Sequence, residues 1–426
     1  MSIVYNEFLA RRDCVKYFKN SDLIKLYRIS DKSIRNWIEA AKTGRNNLVL
    51  YYDEKDKAFI ADTLDNIPII EELVAHGRKY RNERSLKVIR PLSSFYELYN
   101  PSQVTHIINS LEIHREYPLR YRYFGKGALY WDLYLQKLNN SGSSNLLKTS
   151  IELLEEDWPQ LERSLKNYKF INVVDLGVGN GIAIRKALEH LQKTKKLKRY
   201  IGLDLSEKLL DITETNIRDW FNDKITMERY VRDISSEHFS DITSTDSFGH
   251  DANSTVNLIF FLGGTIMNFK EPDQVLRVIR DSMAQNDVLI TSLKLDSLRA
   301  RRFFDFNIRT DKTVLPSHHG FMLDLLSIDK SLYEIEQFYD HDQRARFIQI
   351  RLKMTISIHF KLKDFIKIVE LQKGDTILLA RILHWSTNEM INLQENNSLE
   401  LCRATISCDS EYLLTVSKVR KTAPNP

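Results

Sequence analysis

The chain has 426 residues, of which 42% are hydrophobic and 28% charged, which excludes a disordered chain and, at about 150 residues per domain, predicts roughly two to three domains. Its three cysteines, Cys14, Cys402 and Cys408, are odd in number and stand at no metal-ligand spacing; a disulfide framework and a zinc cluster are thereby excluded, and a reducing, cytoplasmic setting is expected. The net charge of +5 sits wholly in residues 1–90, which hold 18 Lys+Arg against 13 Asp+Glu, a mild excess that either attracts nucleic acid or merely solvates a surface. Met1–Arg12 lacks an apolar core of signal-peptide length, and the longest apolar run, around Leu258–Leu262, is far too short for a membrane span.

The first predicted elements are two short helices, Ser21–Tyr27 and Ser30–Ala41, each opening on a serine suited to an N-cap. Ile34, Trp37, Ile38 and Ala41 recur at helical spacing and face a core, which leaves Lys32, Ser33, Arg35 and Asn36 outward. Gly44 stops the second helix; Leu48–Tyr52, the polar turn Asp53–Lys57 and Ala58–Ile60 then read as a hairpin. Over residues 18–62 this order resembles the winged helix-turn-helix domains of MerR-type and excisionase-like DNA-binding proteins. The resemblance implies DNA as a partner, met by Lys32, Ser33, Arg35 and Asn36, although such units also dock proteins. A helix around Ile67–Val74 follows, and the basic side chains Arg78, Lys79, Arg81, Arg84, Lys87 and Arg90 either extend a phosphate-contacting face or decorate a wet helix end. Residues 1–90 are the expected first domain and 91–426 the second.

Pro91–Leu138 is rich in Tyr and Arg, and Asn139–Asn145 reads as an exposed loop. Phe170–Asp175 is a strand ending in an acid, followed by Gly177, Gly179 and Gly181 and a helix over Ile182–Leu191. Glycines let the backbone close such a turn and approach a ligand, while the helix start offers free N–H groups. A second strand, Tyr200–Asp204, ends in an acid 23 residues after Gly181, where a carboxylate meets ribose hydroxyls. The pattern Asp-x-Gly-x-Gly-x-Gly from Asp175 resembles motif I of class I S-adenosylmethionine-dependent methyltransferases, with Asp204 as the acid of motif II. That resemblance implies S-adenosylmethionine as cofactor and makes Asp233, in Tyr230–Asp233, the acid beside the adenine. The competing reading is a Rossmann-like domain with another nucleotide or none.

Leu258–Phe269 contains Gly263-Gly-Thr-Ile-Met-Asn-Phe269. Together with Tyr200–Glu207 it resembles the histidine-specific N-α-methyltransferase family of ergothioneine biosynthesis, whose motif reads Gly-Ser-Thr-Ile-Gly-Asn-Phe; Gly264 and Met267 depart from it. Leu289–Asp296, Gly374–Ser386 and Tyr123–Asp132 are similar to further family segments, so the resemblance spans roughly residues 115–420. It implies that Asn268 orients the amine to be methylated and that Thr265 lies in the acceptor pocket; the alternative for Asn268 is a turn-capping side chain. The family's late strand also carries a glutamate and, two residues on, a hydrogen-bonding residue that grip histidine, and Ala380 and Ile382 stand at those positions. Losing both polar grips argues against free histidine as substrate.

His318-His319 is a pair without a third ligand, so no metal is expected. No Asn-Pro-Pro-Tyr or Asp-Pro-Pro-Tyr motif occurs, which argues against an ordinary DNA amino-methyltransferase. The expected fold is α/β: a Rossmann-like class I methyltransferase core over about residues 150–300, an acceptor subdomain from about 91–149 and 301–426, and a small N-terminal winged-helix-like domain. The expected function is N-methylation of an amine other than free histidine. The alternative is a DNA-binding regulator whose methyltransferase-like domain senses S-adenosylmethionine without turnover.

Overall fold

The computed structural model describes residues 17–27, 29–63, 65–84, 86–244, 254–298, 301 and 315–421, with residues 78–84 as backbone only. It divides into two compact units, Met1–Lys87 and Val88–Pro426. Cys14 and the side chains of Arg78, Lys79, Arg81 and Arg84 lie outside the described residues.

The first unit has two helices, Asn20–Tyr27 and Asp31–Lys42, a hairpin of β1 (Leu50–Tyr52) and β2 (Ala58–Ile60), and a helix Asn66–Arg84. Ser30 is the N-cap of the second helix, accepting a hydrogen bond from the Ser33 amide at 3.1 Å. Ser21, by contrast, lies inside the first helix, which starts at Asn20. Ile34 and Ile38 join Leu23, Leu48, Ile60 and Ile70 in the small core. The fully buried Asn66 side chain joins the hairpin to the last helix, accepting from the Val49 amide and donating to the carbonyls of Val49 and Ala61 at 2.7–2.8 Å. Lys32, Arg35 and Asn36 are exposed, and Arg35 Nε donates to Asp31 at 2.6 Å one turn back.

In the second unit a seven-stranded sheet is built from β4 (Phe170–Leu176), β5 (Leu197–Asp204), β6 (Met227–Val231), β7 (Thr255–Phe261), β8 (Val288–Lys294), β14 (Leu399–Ile406) and β15 (Tyr412–Val419), in the order β14-β15-β8-β7-β4-β5-β6. β4, β5, β6, β7 and β8 run parallel, and β15 lies antiparallel between β8 and β14. This is the Rossmann-like class I methyltransferase fold. β4 and β7 are buried along almost their whole length, the signature of parallel strands covered on both faces. One face packs against the helices Leu146–Ser164, Arg185–Lys193 and Glu207–Phe221; the other packs against Pro272–Asp281 and Thr387–Asn396.

A second layer of chain stands over one end of this sheet. It comprises the antiparallel sheet of β9 (Tyr333–Asp340), β10 (Ala345–Leu352) and β13 (Thr376–Leu383), and a smaller one of β11 (Ile356–Lys361), β12 (Ile366–Leu371) and β3 (Lys87–Ile89), where the second unit begins. Its core includes Phe95, Ile107, Tyr117, Met322, Ile350 and Phe360. The expected acceptor subdomain over 301–426 therefore ends too late: the last helix and β14–β15 return to the central sheet, because Leu413, Leu414 and Val416 complete its two apolar faces. The late strand of the sequence reading, β13, belongs instead to the antiparallel layer.

Candidate active site

The order of the central sheet reverses between β4 and β7, and in such sheets ligands bind outside the carboxyl ends of the strands at the reversal. A cavity of about 1230 Å³ opens there. Its floor is Gly177 and Gly179 after β4, Asp204 and Leu205 at the end of β5, Asp233 after β6, Gly263–Thr265 and Met267–Glu271 after β7, and Lys294 at the end of β8.

The glycine turn has little room for side chains. Gly177 and Gly181 have φ of +70° and +79°, and a Cβ on either would come within 3.0 Å of Thr265 Cγ2 or Thr213 Cγ2 respectively. Gly181 does not line the cavity; it lets the turn settle on the helix Glu207–Phe221. Asp204 accepts hydrogen bonds from the amides of Ser206 (2.8 Å), Gly179 and Leu205, so its carboxyl is pinned to the turn, while burial pushes its pKa up to about 6. Asp175, placed by the sequence reading among the cofactor residues, lies beneath the floor: it is 5% exposed, receives the Tyr200 hydroxyl at 3.2 Å, and burial raises it to about 7. Asp233 lines the cavity, bonded at 2.6 Å to Arg120. A buried carboxylate fixed beside a side-chain-free turn is a fit cradle for the ribose of an adenosyl group.

Asn268 ends a short 3₁₀ turn, Thr265–Asn268, and lines the cavity half-buried. Among the described residues its side-chain amide has no hydrogen-bond partner, whereas Thr265 Oγ1 donates to the Leu262 carbonyl at 2.9 Å and does the capping. Thr265 and Ile382 line the cavity; Ala380, paired with Ile348 across the antiparallel sheet, is buried in the core behind the wall.

The roof was largely missed in the sequence. It includes Arg120, Arg122 and Tyr123 of the 3₁₀ turn Leu119–Tyr123, Trp131 and Tyr134 of the helix Lys126–Asn140, His318 and His319 of the helix Ser317–Leu325, and Arg346 of β10. The loop Ser143–Asn145 also faces it, Asn145 capping the next helix. Only the density of Arg and Tyr between Pro91 and Leu138, and the His pair, hinted at this wall. Burial, reinforced by the charge of Arg122, pushes His318 down to about 3 and His319 well below its ordinary range. Both rings are neutral, and among the described residues no cluster of three or more His, Cys, Asp or Glu is placed to hold a metal. No described helix is long and apolar enough to cross a membrane.

Residues 106–305 match the model of a family described as histidine-specific, SAM-dependent methyltransferases. The chain is a SAM-dependent methyltransferase, and its methyl donor is S-adenosylmethionine. The match covers just under half of the chain and begins beyond the first unit. No curated protein matches the sequence. Among solved structures, the chain is similar to a SAM-dependent methyltransferase from Clostridium acetobutylicum ATCC 824, with 11% identity, a TM-score of 0.38, and 68% of this chain and 97% of the other covered. It is also similar to the PH0226 protein of Pyrococcus horikoshii OT3, with 16% identity, a TM-score of 0.38, and coverage of 70% and 100%. A third likeness is to magnesium protoporphyrin IX methyltransferase from Synechocystis PCC 6803, with 9% identity, a TM-score of 0.36, and coverage of 75% and 100%. Nothing in these likenesses supports DNA binding by the first unit.

Proposed function

We propose that the protein transfers a methyl group to the nitrogen of an amine other than free histidine. The observation that carries this reading is the placement of Asp204 and Asn268 on one cavity floor, with the Asn268 amide uncommitted among the described residues. Asp204 holds the ribose of the cofactor, the Gly177–Gly179 turn admits the rest of the nucleoside's backbone contacts, and Asp233 stands at the adenine end. Asn268 accepts a hydrogen bond from the acceptor amine and so points its lone pair at the cofactor.

S-adenosylmethionine supplies an electrophilic methyl on a sulfonium whose departure needs no acid. The protein's share is alignment, a neutral amine and exclusion of water. The roof provides the last of these with Trp131 and Tyr134, joined by Ile382, which presents no polar group for an imidazole.

Calorimetric titration with S-adenosylhomocysteine, followed by methyl-transfer assays on amines, amino acids and peptides, tests this. Saturable binding lost in Asp204→Ala, with turnover of at least one amine and none of free histidine, is the expected result. Binding without transfer to any amine overturns it.

A further inference from the structure

Asn100-Pro-Ser-Gln103 opens the helix Pro101–Asn109 with a proline in its first turn and a capping box, in which the side chains of Asn100 and Gln103 each accept from the other's backbone amide at 3.0 Å. Val104, Ile107 and Ile108 anchor this helix in the core of the second layer. His106, between them in sequence, is half-buried and lines the cavity. Its Nδ1 is met from the turn Leu119–Tyr123 by the Tyr121 hydroxyl at 3.0 Å and by Arg120 Nη2 at 3.3 Å. A guanidinium nitrogen can only donate, so Nδ1 accepts. Burial, then the charge of Arg120, hold the pKa of His106 below its ordinary value of 6.5; the other groups whose charge reaches the ring are Asp233 and His114. Above about pH 7 the ring is therefore neutral and carries its one proton on Nε2. Among the described residues Nε2 has no hydrogen-bond partner.

The same guanidinium reaches Asp233. Arg120 Nη1 donates to Asp233 Oδ2 at 2.6 Å while Nη2 holds His106, so one planar fork sets a carboxylate and an imidazole side by side. Asp233 Oδ1 receives the Ser235 amide at 3.0 Å and the Ser235 hydroxyl. A carboxylate has about four lone pairs, and these three donors leave one of them, on Oδ2. The cavity is thus offered an acceptor, Asp233, beside a donor, the Nε2–H of His106. Adenine is the complement of such a pair: its exocyclic amine donates, and the ring nitrogens N1 and N7 on either side of that amine accept, which is why a single carboxamide can grip N6 and N7 together.

Resting on the reading that places S-adenosylmethionine here with Asp233 at its adenine end, we propose that His106 is a cofactor-binding residue whose Nε2–H donates to a ring nitrogen flanking the adenine amine, N1 or N7, while Asp233 accepts from the amine itself. Arg120 and Tyr121 act through His106, as positioning residues that fix its tautomer.

The test titrates the full-length protein at neutral pH with S-adenosylhomocysteine and with its 1-deaza, 3-deaza and 7-deaza analogues, each lacking one ring nitrogen of the base, by calorimetry. The native protein should bind either the 1-deaza or the 7-deaza analogue about tenfold more weakly than S-adenosylhomocysteine, and the 3-deaza analogue within about twofold of it. His106→Leu should bind S-adenosylhomocysteine about tenfold more weakly and no longer distinguish it from the analogue that the native protein disfavours. His106→Phe, which keeps a ring without the nitrogens, should behave alike, and it decides the matter should His106→Leu not fold. Which analogue is disfavoured tells N1 from N7. If all three analogues bind the native protein as well as S-adenosylhomocysteine, if the 3-deaza analogue is the one disfavoured, or if the variants weaken every ligand equally and keep the native preference, the proposal falls. If the native protein fails to bind S-adenosylhomocysteine at all, the cofactor-site reading falls instead.

Discussion

The floor and the roof of the cavity are made of different material. The floor is chiefly backbone at the ends of parallel strands, with amides of Gly179, Leu205 and Ser206 converging on one carboxyl. The roof is side chains, and these come from segments far apart: Arg122 and His319, in hydrogen-bond contact, are separated by 197 residues. A site made of backbone constrains which residues the turn will accept, so it is specific to a cofactor and slow to change. A site made of side chains is retuned by single substitutions. On this view the floor keeps the methyl donor while the roof selects the acceptor, and variants in the two halves should fail in different measurements.

Asp204→Ala gives the largest separation. It removes a fixed, charged acceptor for two hydroxyl donors, and cofactor affinity should fall by about a hundredfold or more; titration calorimetry reads this directly, and a loss of less than about tenfold would remove Asp204 from the cofactor site. Asn268→Ala follows. Cofactor affinity should stay within about twofold, while kcat/KM for the acceptor falls by about tenfold to hundredfold through lost alignment. A parallel loss in both measurements would mean that Asn268 serves the floor as a whole.

The floor also carries the pH dependence. With its pKa raised to about 6, Asp204 is ionised at pH 8 and protonated at pH 5. A protonated carboxyl cannot accept from both ribose hydroxyls, so S-adenosylhomocysteine affinity should be flat above about pH 7 and drop about tenfold per unit below pH 6. Asp175 adds a stability effect of its own. Raised from 3.8 to about 7, it keeps its proton in the fold where the unfolded chain loses it, so its contribution to stability declines as pH rises from about 4 to 7. Asp175→Asn should therefore melt higher than the native protein at pH 8 and no higher at pH 4, as thermal unfolding at the two values would reveal.

How much of this was legible follows the same division. Gly177, Gly179, Gly181 and Asp204 announce themselves by spacing, because a strand, a turn free of side chains and a second strand are contiguous in sequence. Asp175 shows the limit: its position at the strand end was readable, but that its carboxyl meets Tyr200 beneath the floor depends on the register of β4 beside β5, which puts both side chains on one face of the sheet. Ala380 and Ile382 share a strand face at spacing two, yet the shorter side chain stays in the core while the longer reaches the cavity. The return of β14 and β15 to the central sheet was missed because nothing in an alternating strand names its partner. Arg122, His319 and Arg346 were not joined because only the fold brings their three segments together.

The smallest expected effect lies where floor and roof touch. The turn Leu119–Tyr123 sends Arg120 to Asp233 at 2.6 Å and, two residues on, Arg122 into the buried wall. The Arg120–Asp233 pair is partly open to solvent, with side chains 40% and 19% exposed, so its direct worth is at most about 1 kcal/mol. Arg120→Met should weaken cofactor binding by no more than about fivefold, but by loosening the turn that carries Arg122 it should also raise KM for the acceptor. Asp233→Asn keeps the turn's shape and weakens the same ion pair without removing Arg120. If both variants change cofactor affinity alone, the pair belongs to the floor; if Arg120→Met alone changes acceptor KM, the turn is the mechanical link between donor and acceptor halves. A double-mutant cycle with the two substitutions, read in both affinities, distinguishes these outcomes.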